Sequence, residues 1–338
     1  MTIAAPSPPS LTAAVQAPSL VARILRRRET SAIGILLLLL TAICVLRRDV
    51  DVLSPDNLFI VSRQVAMTAI VAIGVFFVIL TSGIDLSVGS IVGLSGYVCG
   101  MVFRAGYPAP VAAGAGLVTG MLVGAVNGGI ISFLRVTPFI VTLGMLWIAR
   151  TVVLVLGKGD SVRGIPEGFC LVMGKGSLAG IPAPVIILVI VALLSHLVLN
   201  YTAFGRRVYA LGGNEEATEL SGINTSRVKF MTYVTTGLLC GVGGLVFVAR
   251  SGTASADLGD GMELYAIAAA VIGGTSLMGG QGTVLGVILG ATIMGVLNNG
   301  LVLLKDPLGL SSYWERGIIG AIIVIAAIID AFRTRRGV

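Results

Sequence analysis

Histidine, cysteine and charged residues are all scarce in this chain of 338 residues. There is one histidine, His196, and the four cysteines form no CxxC pair, so the sequence lacks both the ligand cluster of a metal site and a disulfide framework. Charged residues make up 12% of the chain, about half the share in soluble domains. These shortages exclude a disordered chain and a cytosolic enzyme, and we predict no catalytic residue, cofactor or metal ion.

Apolar residues are abundant instead. The nine apolar residue types supply 56% of the chain, 46 glycines come in addition, and the mean hydropathy is +1.00. Soluble domains hold only about 45–50% apolar residues with glycine included. Because a helix needs about 20 apolar residues to cross the hydrocarbon core, the chain has room for roughly nine to eleven spans. The predicted fold class is an all-α integral membrane protein with about ten transmembrane helices.

Apolar runs bounded by charge, proline or glycine predict where these spans lie. They are residues 31–46, 58–80, 87–103, 109–131, 137–156, 182–200, 230–249, 264–278, 284–304 and 313–332. Residues 1–29 are rich in alanine, proline and serine near the N-terminus, and we predict a disordered cytoplasmic tail there. Residues 30–335 are then one polytopic transmembrane domain.

The basic residues account for the formal net charge of +7. They gather near the two ends of the chain and in one internal segment rather than on one polar face, so they predict membrane orientation and not nucleic-acid binding. More of them fall on the side of the ten-span topology that carries both ends. Both termini are therefore predicted to be cytoplasmic.

Two pairs of segments in the two halves of the chain are similar to each other. Residues 83–89 parallel residues 274–280, and residues 124–129 parallel residues 295–300. In the ten-span topology the two halves begin on opposite sides of the membrane, so we predict inverted internal repeats with a transport path at their interface. The alternative is that glycine-rich membrane helices are alike in composition alone.

Residues 201–229 form the one long charged stretch on the predicted cytoplasmic side. Within it, Asn214 is a good N-cap, an acidic first turn follows, and Gly222 can end a helix, so we predict a helix of about two turns. It is either an ordinary solvated connection or a docking element for a cytoplasmic partner. The residues assigned to the docking element are Asn214, Glu215, Glu216, Ala217, Glu219, Leu220 and Gly222.

Three separated motifs resemble the permease subunits of ribose-type ABC importers. They are ILTSGIDLSVGS at residues 79–90, LGGNEEATELSGIN at residues 211–224, and the stretch from AIAAAVIGGTSLMGG at residue 266 to the Asn-Asn-Gly at residues 298–300. The resemblance extends from about residue 58 to residue 330. The chain has no P-loop, so ATP hydrolysis is expected in a separate subunit.

The resemblance implies a multi-pass protein of the bacterial inner membrane, surrounded by lipid, that imports a small sugar such as a ribose-like monosaccharide or a related polyol. It implies a second permease copy, a periplasmic or lipid-anchored sugar-binding protein and a cytoplasmic ATPase subunit as partners. By the same resemblance, the helix from Asn214 to Gly222 is the element that couples the permease to the ATPase.

Two alternatives stay open. Permeases for nucleosides or branched-chain amino acids would have a similar fold. A stand-alone secondary transporter is disfavoured, because coupling to protons or sodium uses buried acidic groups and intramembrane carboxylates are sparse here.

Three polar side chains are candidates for the transport path: Asp85, Asn127 and Asn298. Side-chain amides both donate and accept hydrogen bonds, which suits a weakly binding path for a polyol. Interhelical hydrogen bonding explains the two asparagines equally well. Asp85 follows a break in an apolar run, so we predict that it mainly caps the next helix, with path lining as the alternative.

Overall fold

A computed structural model describes residues 28–308 without a break and, beyond them, residues 314, 317, 318, 320, 321, 324, 325 and 328. The predicted tail of residues 1–29 therefore lies outside the described residues except for its last two positions. Most of the tenth predicted span, residues 313–332, lies outside them as well.

Within residues 28–308 the chain is mostly helical. The α-helices are α1 (Arg28–Leu46), α2 (Pro55–Leu80), α3 (Val88–Arg104), α4 (Ala109–Phe133), α5 (Pro138–Gly157), α6 (Glu167–Cys170), α7 (Ala183–Tyr201), α8 (Ala203–Gly213), α9 (Glu215–Leu220), α10 (Thr225–Ser251), α11 (Met262–Ile272) and α12 (Val284–Leu308). A π-helical turn, Leu171–Lys175, follows α6. The short strands β1 (Val162–Arg163) and β4 (Thr253–Ala254) pair antiparallel, as do β2 (Ser177–Leu178) and β3 (Ile181–Pro182).

Six of these helices are long and apolar enough to cross a membrane: α2, α4, α5, α7, α10 and α12. The remaining apolar helices, in α1, α3 and α11, are shorter. The predicted fold class, a membrane protein built mostly of α-helices, is confirmed. The predicted eighth span, residues 264–278, is too long, because α11 ends at Ile272.

Glycine explains why α11 ends early. Gly273 and Gly274 follow its last residue, and the next glycines, Gly279, Gly280 and Gly282, have positive φ angles like that of Gly274. Backbone in this region of φ is open to glycine but strained for residues with a Cβ atom. Residues 273–283 therefore form a loop, called here the glycine loop, before α12 begins.

The helices α2 and α10 lie at the centre of the structure. In the most apolar window of α2, 89% of the residues are buried, whereas the corresponding share is 22% for α4. α10 packs on α4 through backbone contacts, because a Cβ atom on Gly124 would overlap the carbonyl oxygen of Tyr233 and one on Gly237 would overlap that of Gly120. The apolar surfaces of α4, α5 and α7 face outward, as the surfaces of lipid-exposed helices do in a membrane protein.

Contacts between distant segments define two ends of the structure. At one end, Gly280 N donates to Leu80 O at 2.9 Å and Ser82 Oγ donates to Met278 O at 2.7 Å, so the turn after α2 meets the glycine loop. α8 lies against the same loop, because Tyr209 donates from its hydroxyl to Gly282 O at 3.0 Å. We call this the α9 end. The pairing of β1 with β4 lies beyond the C-terminus of α10, at the opposite end.

One of the two pairs of similar segments does not occupy matching places. Residues 83–89 lie before and in the first turn of α3, whereas residues 274–280 follow α11. The other pair, residues 124–129 and 295–300, lies within the long helices α4 and α12.

Candidate functional site

Residues 201–229 hold more helix than the sequence predicts. α8 was not predicted, although Thr202 caps it by accepting a hydrogen bond from Gly205 N at 3.2 Å. Val208 and Leu211 are buried. They are three positions apart, as residues on one face of a helix are, and they follow a threonine that can cap a helix, so this pattern could have predicted α8.

The predicted capped helix is present as α9. Asn214 Oδ1 accepts a hydrogen bond from Ala217 N at 2.9 Å, and Gly222 has a φ angle of 79°. Thr218 is buried against the protein, whereas the Leu220 side chain is 84% exposed. Leu220 is thus the large apolar side chain that α9 leaves exposed.

Charged side chains surround α9. Lys229 Nζ donates to both carboxylate oxygens of Glu215, at 2.7 and 2.8 Å, and so joins α9 to the first turns of α10. Glu216 and Glu219 line a cleft of about 520 Å³, and Arg135 in the turn between α4 and α5 lines its other side. The segment thus presents an ordered acidic helix with one exposed leucine.

Asp85 and Asn127 lie close together through Ser87, and all three side chains are fully buried. Asp85 Oδ1 accepts from Ser87 N at 2.9 Å and from Ser87 Oγ at 2.6 Å. Asn127 Nδ2 donates to Ser87 Oγ at 2.9 Å. Ser87 is the N-cap residue of α3, so Asp85 is not itself the cap as predicted. It orders the chain two residues earlier in an Asx turn.

Asn298 lies elsewhere. Gln64 Nε2 donates to Asn298 Oδ1 at 2.6 Å, and both side chains line a cavity of about 480 Å³ together with Arg250 and the loop before α11. The structure therefore separates Asn298 from Asp85 and Asn127, which the sequence assigned to the same path.

Arg150 is a polar residue that sequence reasoning missed. It lies inside the apolar helix α5 and donates from Nη1 to the carbonyl oxygens of Ala256 and Leu258, both at 2.9 Å. A single arginine in an otherwise apolar span is the signal that could have marked it, because charge inside a membrane is costly and usually functional.

Among the described residues, no group of three or more His, Cys, Asp or Glu side chains could hold a metal ion. All four cysteines are free, and three of them are buried. His196 lies in α7, with Nδ1 3.0 Å from Asn200 Nδ2.

Residues 57–327 match the family model described as "Branched-chain amino acid transport system / permease component". The chain belongs to this permease family. The chain is 44% identical over 299 residues to the ribose import permease protein RbsC of Escherichia coli K12, a match that covers 86% of this chain and 92% of that protein. It is 40% identical to the ribose import permease protein RbsC of Bacillus subtilis strain 168, over 82% of this chain and 85% of that protein.

Identity to the xylose transport system permease protein XylH of Escherichia coli K12 is 34%, over 84% of this chain and 87% of that protein. These matches confirm the resemblance to ribose-type importer permeases. The permease is a transport component and not an enzyme. No solved structure matches the chain.

Proposed function

We propose that this permease is the membrane subunit of an ATP-driven ABC importer that moves a small sugar, a ribose-like monosaccharide or related polyol, into the cytoplasm. The similarity to import permeases named for ribose, allose and xylose, over more than four-fifths of the chain, carries the proposal. The family description names branched-chain amino acids, which makes them the competing class of substrate.

The partners follow from the same proposal. A cytoplasmic ATPase subunit drives the cycle, a periplasmic or lipid-anchored sugar-binding protein delivers the solute, and a second permease copy completes the membrane part. The outward-facing apolar surfaces of α4, α5 and α7 are available to lipid and to that copy. The fractions of these helices that are buried, 22–33% in their most apolar windows, support this assignment.

Ten crossings fit this function. The crossings proposed are α1, α2, α3, α4, α5, α7, α10, α11 and α12, together with the span predicted from sequence at residues 313–332, most of which lies outside the described residues. α11 is about 16 Å long, so the glycine loop completes its crossing. Both termini and the α9 end are then cytoplasmic in the bacterial inner membrane.

For an inverted repeat, the order of the helices favours a different pair of equivalent segments from residues 83–89 and 274–280. Asp85-Leu86 stands shortly before α3, and Asp257-Leu258 stands shortly before α11. Each pair follows a long buried helix, α2 or α10. We propose that these are the equivalent positions of the two halves, together with Asn127 in α4 and Asn298 in α12.

The α9 helix is proposed to couple the permease to the ATPase through Asn214, Glu215, Glu216, Ala217, Glu219, Leu220 and Gly222. A series of hydrogen bonds that leads from α8 to the end of α2 supports this role. α8 precedes α9 and bonds the glycine loop through Tyr209, and the loop bonds the end of α2 through Leu80. Hydrogen bonds therefore connect α8, which directly precedes α9, to the end of α2 just before the turn that contains Asp85.

Of the three path candidates, Asn298 lines the cavity of about 480 Å³. Asp85 and Asn127 are proposed instead to fix the start of α3 against α4, because their hydrogen bonds meet at Ser87 inside the protein.

The test is uptake into proteoliposomes that contain the permease with its co-purified ATPase and the sugar-binding protein. We expect ATP-dependent uptake of labelled ribose, xylose or allose and none of labelled leucine. Uptake of leucine but of no sugar would favour the competing class, and uptake without the ATPase would favour a secondary transporter.

A further inference from the structure

Two neighbouring side chains each carry a buried oxygen atom without a hydrogen-bond partner among the described residues. The two atoms are Asp85 Oδ2 and Asn127 Oδ1, and both side chains are fully buried. Each side chain uses its other polar atom on the hydroxyl group of Ser87, which lies between them. Because buried polar atoms are nearly always hydrogen-bonded, these two oxygen atoms need a partner.

The Ser87 residue cannot be that partner. Its hydroxyl group has one hydrogen, which it donates to Asp85 Oδ1 at 2.6 Å, and it accepts from Asn127 Nδ2 at 2.9 Å. The Ser87 backbone amide is occupied as well, since it donates to Asp85 Oδ1 at 2.9 Å. If Asp85 is ionised, both remaining oxygen atoms are acceptors, and two acceptors cannot bond each other without a hydrogen between them.

Turning the Asn127 amide by half a rotation does not supply the hydrogen. The amide oxygen would then lie 2.9 Å from the Ser87 hydroxyl oxygen, which already lies 2.6 Å from Asp85 Oδ1. The single hydroxyl hydrogen can serve only one of these contacts, so the other would bring two oxygen atoms together without a hydrogen. The amide orientation with Nδ2 on Ser87 is therefore the one that the hydrogen-bond network supports.

Asp85 also lacks a positive partner within the described part of the chain. The titratable side chains near enough to interact with its charge are Tyr233 and Cys240 of α10, and neither can be cationic. The Tyr233 hydroxyl lies 3.5 Å from Ile84 O, to which it donates. A buried carboxyl group without a cation or full hydrogen bonding favours its neutral form. Burial accordingly raises the pKa of Asp85 to about 6.

We propose that Asp85 holds a proton on Oδ2 in the folded permease and donates it in a hydrogen bond to Asn127 Oδ1. The three side chains then form a closed ring in which each donates once and accepts once. Asp85 donates to Asn127, Asn127 donates to Ser87, and Ser87 donates to Asp85. One proton thus satisfies both unpartnered atoms, removes a buried charge and ties the turn of residues 81–87 to α4.

The ring makes the stability of the permease depend on pH. An aspartate in an unfolded chain has a pKa of about 3.9, so the folded protein holds this proton more tightly than the unfolded chain does. Stability therefore declines as the pH rises from about 4 and levels off above the folded pKa of about 6. This inference is independent of the solute and of the ATPase, so it can fail while the proposed function stands.

The first experiment reads the protonation state from infrared spectra. Full-length permease is purified in a maltoside detergent, which has no carbonyl group, and the spectrum of Asp85→Asn is subtracted from that of the wild type. At about pH 5.5 we expect the C=O stretching band of a neutral carboxylic acid, and it should fade towards about pH 8. An ordinary aspartate is only about one-fortieth protonated at the lower pH. Subtraction of Asp160→Asn, an exposed position between α5 and β1, should show no such band.

The second experiment compares the Tm of the wild type and Asp85→Asn over the same pH range. In the variant, the amide nitrogen replaces the acid hydroxyl as the donor to Asn127, and the amide oxygen still accepts from Ser87. The ring then persists at every pH. We expect the Tm of the wild type to fall by a few degrees relative to that of the variant as the pH rises.

The outcomes decide whether Asp85 carries the proton. A difference spectrum that shows Asp85 as a carboxylate at about pH 5.5 overturns the proposal, whatever else then bonds its oxygen atoms. A wild-type spectrum whose carboxylic-acid region does not change between the two pH values overturns it without reference to any variant. Parallel Tm curves for the wild type and Asp85→Asn do the same.

Discussion

Arg150 and Leu258 are joined by a hydrogen bond of 2.9 Å that runs from the interior of α5 to the loop in front of α11. The Arg150 Nη1 atom also bonds Ala256 O, and Nη2 lies 3.9 Å from Asp260 Oδ1. One guanidinium therefore bonds two backbone carbonyl oxygens of a loop that lines the cavity beside Asn298. α5 otherwise contributes mainly apolar side chains, so this arginine acts as a positioning residue for the loop.

Arg150→Lys should loosen this loop. A lysine keeps the charge but lacks the planar group of five donors that lets arginine bond several acceptors at fixed positions. Hydrogen bonds from charged groups contribute about 1.5–3 kcal/mol each, so we expect a lower Tm and several-fold slower ribose uptake. Arg104→Lys, an exposed position at the end of α3, is the control. Wild-type uptake and Tm in Arg150→Lys would show that the loop does not depend on the guanidinium.

Glu216→Arg should stop transport without preventing membrane insertion. Glu216 lies in the first turn of α9, where an acidic side chain is favoured by the helix dipole and a basic one is opposed. The measurements are uptake, the amount of ATPase that co-purifies and the amount of permease in the membrane. Glu167→Arg reverses an acidic side chain in the first turn of α6, at the opposite end of the protein, and should leave the ATPase bound. Normal import by Glu216→Arg would remove α9 from the coupling role.

Gly222→Val tests the end of the same helix. Gly222 has a φ angle of 79°, and a residue with a Cβ atom pays roughly 1–2 kcal/mol for that conformation. A branched side chain is the least tolerant. We expect α9 to be displaced, so that ATPase binding weakens. Gly213→Val, with no atom near its added Cβ and an ordinary φ angle, should bind the ATPase better than Gly222→Val does.

Local chemistry explains which of these features the sequence could predict. The caps of α9 involve only neighbours, Asn214 with Ala217 and the backbone angle of Gly222, so a short window of sequence contains them. α8 depends on packing of Val208 and Leu211 against the rest of the protein, and its short apolar pattern inside a charged segment was overlooked.

Tertiary contacts explain what the sequence could not predict. Asp85 and Asn127 are 42 positions apart along the chain yet bond the same hydroxyl group of Ser87. Asn298 occupies a similar motif to Asn127 but pairs with Gln64. The motif alone does not distinguish a buried structural amide from one that lines a cavity, because the difference lies in which helices pack around it.

Asp85→Asn should be milder than Asp85→Leu. The asparagine keeps an oxygen that can accept from the Ser87 amide, whereas leucine leaves that amide and the hydroxyl without their acceptor, at a cost of about 1–3 kcal/mol for a buried group. The measurements are Tm and ribose uptake. Asn127→Leu should lower Tm as well, because its amide also bonds Ser87. Equal losses in Asp85→Asn and Asp85→Leu would mean that the charge of Asp85 itself is required.

The orientation in the membrane is tested by a matched pair of serine substitutions in a background without native cysteines. Ser221→Cys lies just after α9, and Ser161→Cys lies between α5 and β1; both positions are exposed. A membrane-impermeant maleimide added to cells with a permeabilised outer membrane should label position 161 and not position 221. Cys170 is among the cysteines replaced in this background. Burial raises the pKa of the Cys170 thiol, which lowers the reactivity of that thiol.

The converse experiment completes this test. Inverted inner-membrane vesicles expose the cytoplasmic surface, so position 221 should become reactive and position 161 should lose its reactivity. The same preparation should bind the ATPase at the α9 end. Labelling of position 221 but not position 161 in the permeabilised cells would reverse the orientation, and α9 would then lie on the periplasmic side, where it could not bind a cytoplasmic ATPase.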